Sequence, residues 1–82
     1  MSQLRILVVD DHAVARALAD AGCEVVLADA AASAAMIAVM AHQEAVDVVA
    51  LRDPAGVREL LDASFAVTAN VLADLPALRR RQ

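Results

Sequence analysis

The sequence predicts an α/β domain built on an open parallel sheet of about four strands, with helices on both faces. Three observations carry that expectation. Short apolar runs rich in valine, such as Ile6-Leu7-Val8-Val9 and Val46 to Leu51, recur along the chain and read as strands covered on both sides. Alanine-rich stretches with an apolar stripe lie between them, as helices packed on a sheet require. The resulting order, β-α-β-α-β-α-β, favours parallel pairing through right-handed crossovers.

Each element has its own signal. Residues 4–9 form a short, apolar first strand. Residues 13–21 form a helix with Leu18 and the alanines turned inward, and Gly22 stops it because glycine tolerates the left-handed backbone that ends helices. Glu24-Val25-Val26-Leu27-Ala28 is the second strand. A helix from about Ser33 to Glu44 follows, with Ser33 as N-cap and Met36, Ile37 and Met40 as its apolar stripe,. Val46 to Leu51 is the third strand. Asp53-Pro54-Ala55-Gly56 is turn chemistry, with Pro54 suited to a first helical turn,. Val57 to Asp62 reads as a short helix and Phe65 to Leu72 as the fourth strand. Pro76 opens a terminal helical turn through Arg80.

Composition bounds the function. With 82 residues, one domain is the ceiling,. Alanine supplies much of the 61% hydrophobic content, and Phe65 is the only aromatic residue, so the core is thin and a partner would help stability. The net charge is -4 and all seven basic residues counted as Lys or Arg are arginines. General nucleic-acid binding, which rests on cationic contacts to phosphate, is not expected. Arg79, Arg80 and Arg81 read as a solvated tail beside a helix C-terminus. Cys23 is the single cysteine, so no disulfide framework is expected and a reducing cytoplasm fits. No apolar stretch suggests a signal peptide or a membrane span. A sheet of four strands also leaves an open edge that invites self-association.

Asp10-Asp11-His12 stands where the first strand ends and a helix begins. In open parallel sheets the carboxyl ends of strands at a switch in strand order are where ligands bind. Two readings of the triplet stand side by side: a ligand set for a metal or phosphoryl group, or aspartate capping of a helix N-terminus. If the ends of the first and third strands are neighbours, then Asp10, Asp11, His12, Arg52 and Asp53 converge. His42 reads as a surface histidine at a helix end, and Met36 and Met40 as an i,i+4 packing pair. A glycine-rich phosphate loop, zinc-ligand spacing and a readable nucleophile triad are missing.

Arg5-Ile6-Leu7-Val8-Val9-Asp10-Asp11-His12 resembles the start of response-regulator receiver domains. That resemblance implies Asp10 and Asp11 as Mg²⁺ ligands. It also implies a phosphoryl acceptor at the end of the third strand, where Arg52 stands with Asp53 one residue late. The sensing lysine of that family has no counterpart.

A second resemblance covers more of the chain. Ala17-Leu18-Ala19-Asp20-Ala21-Gly22-Cys23-Glu24-Val25-Val26, followed without a gap by Ile37, Ala41, Gln43, Glu44, Val46, Asp47 and Val48, is similar to the cobalamin-binding domain of B12-dependent acyl-CoA mutases. Phe65 to Leu72 and Asp74-Leu75-Pro76-Ala77-Leu78 resemble its fourth strand and the segment after it. The resemblance implies a flavodoxin-like (Rossmann-like) topology. It makes Asp10 and His12 the first two fixed positions of an Asp-x-His-x-x-Gly loop, with His12 the cobalt ligand and Asp10 orienting its ring. The loop's glycine is Ala15 here. The family's Ser-x-Leu falls on Arg52, Asp53 and Pro54, and its Gly-Gly pair on Ala69 and Asn70, where a Cβ stands in the way of the nucleotide tail. The implied cofactor-binding set is therefore Asp10, His12, Arg52, Asp53, Ala69 and Asn70. A small accessory or binding module is expected, not catalytic alone, docking on a larger mutase-type subunit or pairing with itself. The alternative is a receiver-like domain signalling through protein contacts.

Overall fold

The computed structural model describes residues 3–81. Eight elements alternate: β1 (Arg5–Val9), α1 (His12–Asp20), β2 (Glu24–Ala28), α2 (Ala34–Gln43), β3 (Val48–Ala50), α3 (Ala55–Arg58), β4 (Ala66–Thr68) and α4 (Val71–Arg80). The strands form one parallel sheet in the order β2-β1-β3-β4. This is the expected flavodoxin-like α/β architecture, and the strand order reverses between β1 and β3.

Alternation of side chains along the strands divides the core in two. Ile6 and Val8 of β1 and Val48 and Ala50 of β3 face α1 and α4, meeting Leu18, Val71, Leu75 and Leu78. Leu7 and Val49 point the other way, toward Ile37 and Ala41 of α2 and Val57 of α3. Ile6, Leu7, Leu18 and Val49 are wholly buried.

Local chemistry explains most boundaries. The carboxylate of Asp11 accepts from the Val14 N–H at 3.1 Å and starts α1. Gly22, at φ +91°, ends it in a conformation that strains any residue with a Cβ,. Ser33 Oγ accepts from the Met36 N–H at 3.1 Å and starts α2 as expected. The arginines at the C-terminus are more than a solvated tail: the guanidinium of Arg79 donates to the Ala21 carbonyl, capping α1 from α4,.

Four expectations change. β3 is three residues long: the Val46 N–H is still tied to the Ala41 carbonyl at the end of α2, and Asp47, which bonds to Arg5 and Ala66, stands just before the strand. α3 is Ala55–Arg58, earlier than expected, since Pro54 sets the first turn itself. β4 is only Ala66–Thr68, and α4 begins at Val71 with Pro76 inside it. Met36 lies 57% exposed rather than on the buried stripe, which is completed by Ile37, Ala38 and Ala41. His42, at the end of α2, rests edge-to-face on Phe65 with ring centroids 4.8 Å apart.

Among the described residues, no helix is long and apolar enough to cross a membrane. Cys23 is free and buried, the environment of an inert thiol.

Candidate functional site

β1 and β3 are hydrogen-bonded neighbours, so the residues that follow them meet at one edge of the sheet. Asp10 leaves β1 with φ 50°, a left-handed conformation that is uncommon outside glycine, asparagine and aspartate. Its N–H donates to the Ala28 carbonyl at 2.9 Å, which ties the turn to the end of β2. This bend separates the three residues of the opening triplet.

The edge carries three adjoining hollows rather than one site. The largest, about 370 Å³, is lined by Asp10, Arg52 and Asp53 at its rim and by Val9, Ile37 and Val57 on its apolar side. That volume lies within the range of small-ligand sites, about 300–1,000 Å³. A second hollow of about 260 Å³ is shared by Asp10 and His12 with residues 27–30. A third, of about 80 Å³, holds Asp11, Arg52, Ala69 and Asn70 against the start of α4.

The expected convergence of Asp10, Asp11, His12, Arg52 and Asp53 thus holds at the level of the sheet edge. At the level of side chains it divides. Asp10 links two hollows and Arg52 links two, whereas His12 faces the β2 side and Asp53 the α2 and α3 side.

The carboxylate of Asp11 is engaged as the cap of α1, a role that contributes about 1 kcal/mol to a helix. His12 is the first residue of α1 and is exposed. Among the described residues, no group of three or more His, Cys, Asp or Glu side chains is arranged to hold a metal ion. A metal held here would need donors beyond the protein's own.

The residues fit a corrinoid in part. An exposed imidazole at the rim of an open hollow is accessible to a large flat ligand. No hydrogen bond joins the Asp10 carboxylate to the His12 ring among the described residues. At the position of the family's Gly-Gly pair, Ala69 and Asn70 lead straight into α4, and the hollow of about 80 Å³ there is far below what a nucleotide occupies. Thr68 strengthens this closure: its hydroxyl donates to the Asp74 carboxylate and accepts from the Asn70 N–H at 3.0 Å.

Two polar features escaped sequence reasoning. Arg5 lies between Glu44, at 3.1 Å, and Glu24, at 3.9 Å, while its N–H donates to Asp47 at 2.9 Å. These partners are 19 to 42 residues away in sequence, and only the parallel register brings them together. Asp62 sits in a turn at the far end of the sheet. Its carboxyl is held below its ordinary value by the Ser64 hydroxyl and then by the Ser64 N–H. A depressed carboxyl favours the fold above its unfolded-state pKa, and that contribution fades as the pH falls through the folded-state value.

No family model matches the chain, and neither the curated proteins nor the solved structures contain a match to it.

Proposed function

We propose that this chain is a small accessory binding module of the cobalamin-binding type. Its ligand surface is the carboxyl edge of β1 and β3, and the imidazole of His12 is the group offered to cobalt. The observation that supports the reading is the shared hollow of Asp10 and His12 at the carboxyl ends of β1 and β2, next to the reversal of strand order between β1 and β3, where doubly wound sheets bind ligands. A larger protein subunit would supply any catalytic cavity, because corrinoid radical chemistry needs an enclosed substrate site.

The closed gap beside Ala69 and Asn70 sharpens this reading. Contact through the imidazole without a tail pocket predicts that cobinamide, which lacks the nucleotide tail, binds as well as cobalamin. Visible spectroscopy should show the change that accompanies imidazole coordination with either corrinoid. His12→Ala should abolish it. A spectrum that stays constant on mixing, or a change that survives His12→Ala, would overturn the proposal.

A receiver-like module is the second reading. It is favoured by one feature, the placement of Asp10 and Asp53 on the same cleft. Incubation with acetyl phosphate and Mg²⁺ should then add one phosphoryl mass, lost in Asp53→Asn. An unchanged intact mass sets this reading aside.

A further inference from the structure

We propose that the chain pairs with a second copy of itself through the open edge of β2, with the outer shoulder of α2 closing over the junction. The two edges of the sheet are unlike. The Ala66 N–H donates to Asp47 and the Thr68 carbonyl accepts from Leu51, so both peptide groups of Val67 point away from the sheet. The outer edge there is guarded, because Arg58 donates to the Val67 carbonyl at 3.0 Å. A charged group placed on an edge strand is a common barrier to further pairing.

β2 has no such guard. Glu24 donates inward to Leu4, and Ala28 accepts inward from Asp10. The peptide groups of Val25 and Leu27 therefore face outward, with no partner among the described residues. The strand is five residues long, and Leu27 on it is 47% exposed.

The flank of this edge is apolar. α2 carries no Asp, Glu, Lys or Arg. Ala34 lies beside Gly56 of α3, which fixes the side of α2 that faces α3. Helical spacing then puts Met36 and Met40 on the side turned away from α3, toward the β2 end of the strand order. Met36 and Val39 are more than half exposed, and with Met40 and Gln43 they line one apolar depression.

A second copy suits this surface on charge and on register. An antiparallel approach about Val26 sets Val25 against Leu27 of the second copy, and Leu27 against its Val25, so that each pair exchanges N–H···O=C bonds. Glu24 then lies opposite Ala28, and no like charges oppose. Glu24 is already paired within its own chain by Arg5. The contact is isologous and closes at two copies. A standard interface of about 800 Å² per partner would cover about a sixth of the 4938 Å² surface,. This inference does not depend on the corrinoid reading, and its test uses no corrinoid.

Light scattering after size exclusion, together with sedimentation equilibrium, decides it. The wild type should be a dimer with a dissociation constant in the micromolar range. Met36→Lys should raise that constant by about tenfold or more by placing like charges at the junction. Leu27→Pro should abolish pairing, since its N–H serves no bond among the described residues,. Circular dichroism checks that each variant is folded. If Leu27→Pro does not fold, Met36→Lys decides alone. A wild type that stays monomeric at millimolar concentration overturns the proposal, and so does a dimer unaffected by Met36→Lys.

Discussion

Leu18→Ala is expected to cost about 3 kcal/mol and to leave the chain only marginally folded. Leu18 is wholly buried where α1 meets the sheet and α4, and its carbonyl accepts from both Ala21 and Cys23 in the turn to β2. The neighbours cannot collapse into the cavity easily, because Ala15 and Ala50 of the same cluster are too small to fill it. A domain of this length has only about 4–12 kcal/mol in hand, and an alanine-rich core argues for the lower end. Urea unfolding followed by circular dichroism, at one fixed protein concentration, should show the midpoint falling by more than half. A midpoint within error of the wild type would mean that the α1 face of the core is packed otherwise.

Pro76→Ala is expected to act in the opposite direction, raising stability by about 1–2 kcal/mol. Pro76 lies inside α4, where the ring cannot donate to the Leu72 carbonyl and crowds it, an arrangement that costs about 3 kcal/mol in an ordinary helix. Alanine restores the donor and is the best helix former. Part of the gain is offset, about 0.4–1 kcal/mol, because the unfolded chain becomes freer without the ring. Pro76 is exposed while its neighbours Leu75 and Leu78 are buried, so the substitution leaves the core contacts of α4 in place. The same urea titration should show a higher midpoint, and a lower one would show that the proline ring itself is needed to seat α4 on the core.

How legible the fold was depended on the kind of signal. β1, β2 and α2 could be read nearly to the residue, since apolar runs, Gly22 and Ser33 are local marks with local causes. β4 and α4 could not. Ala69-Asn70-Val71-Leu72 continues an apolar run that fits strand or helix equally well, and the break comes from Thr68, whose hydroxyl binds both Asn70 and Asp74. That network is side-chain geometry and has no periodicity. Pro76 misled for a related reason: proline usually opens a helix, yet here α4 is held by burial of Val71, Leu75 and Leu78 strongly enough to carry it inside.

The candidate site was legible in its address and not in its arrangement. Parallel alternation was enough to bring residues 10–12 and 52–53 to one edge. The left-handed backbone of Asp10 turns His12 toward β2 and leaves Asp53 on the other side. No spacing rule announces that turn, since aspartate occupies many ordinary turns as well. Arg58 on Val67 and Arg79 on Ala21 were equally silent, because arginine side chains reach across elements whose adjacency is set by the whole fold.

The cap that Arg79 places on α1 has a consequence for how the chain is made. The donor and the helix end it serves are 58 residues apart, and Val71, Leu75 and Leu78 cover the same face of the sheet as α1. During synthesis, β1, α1 and β2 precede α4 and wait with that face uncovered until α4 has been made. Vectorial assembly, one element after another, therefore gives no finished half-domain. α4 must leave the ribosome through Arg79 before α1 is both roofed and capped, so a nascent chain that stops short of α4 is the form most exposed to chaperones and proteases.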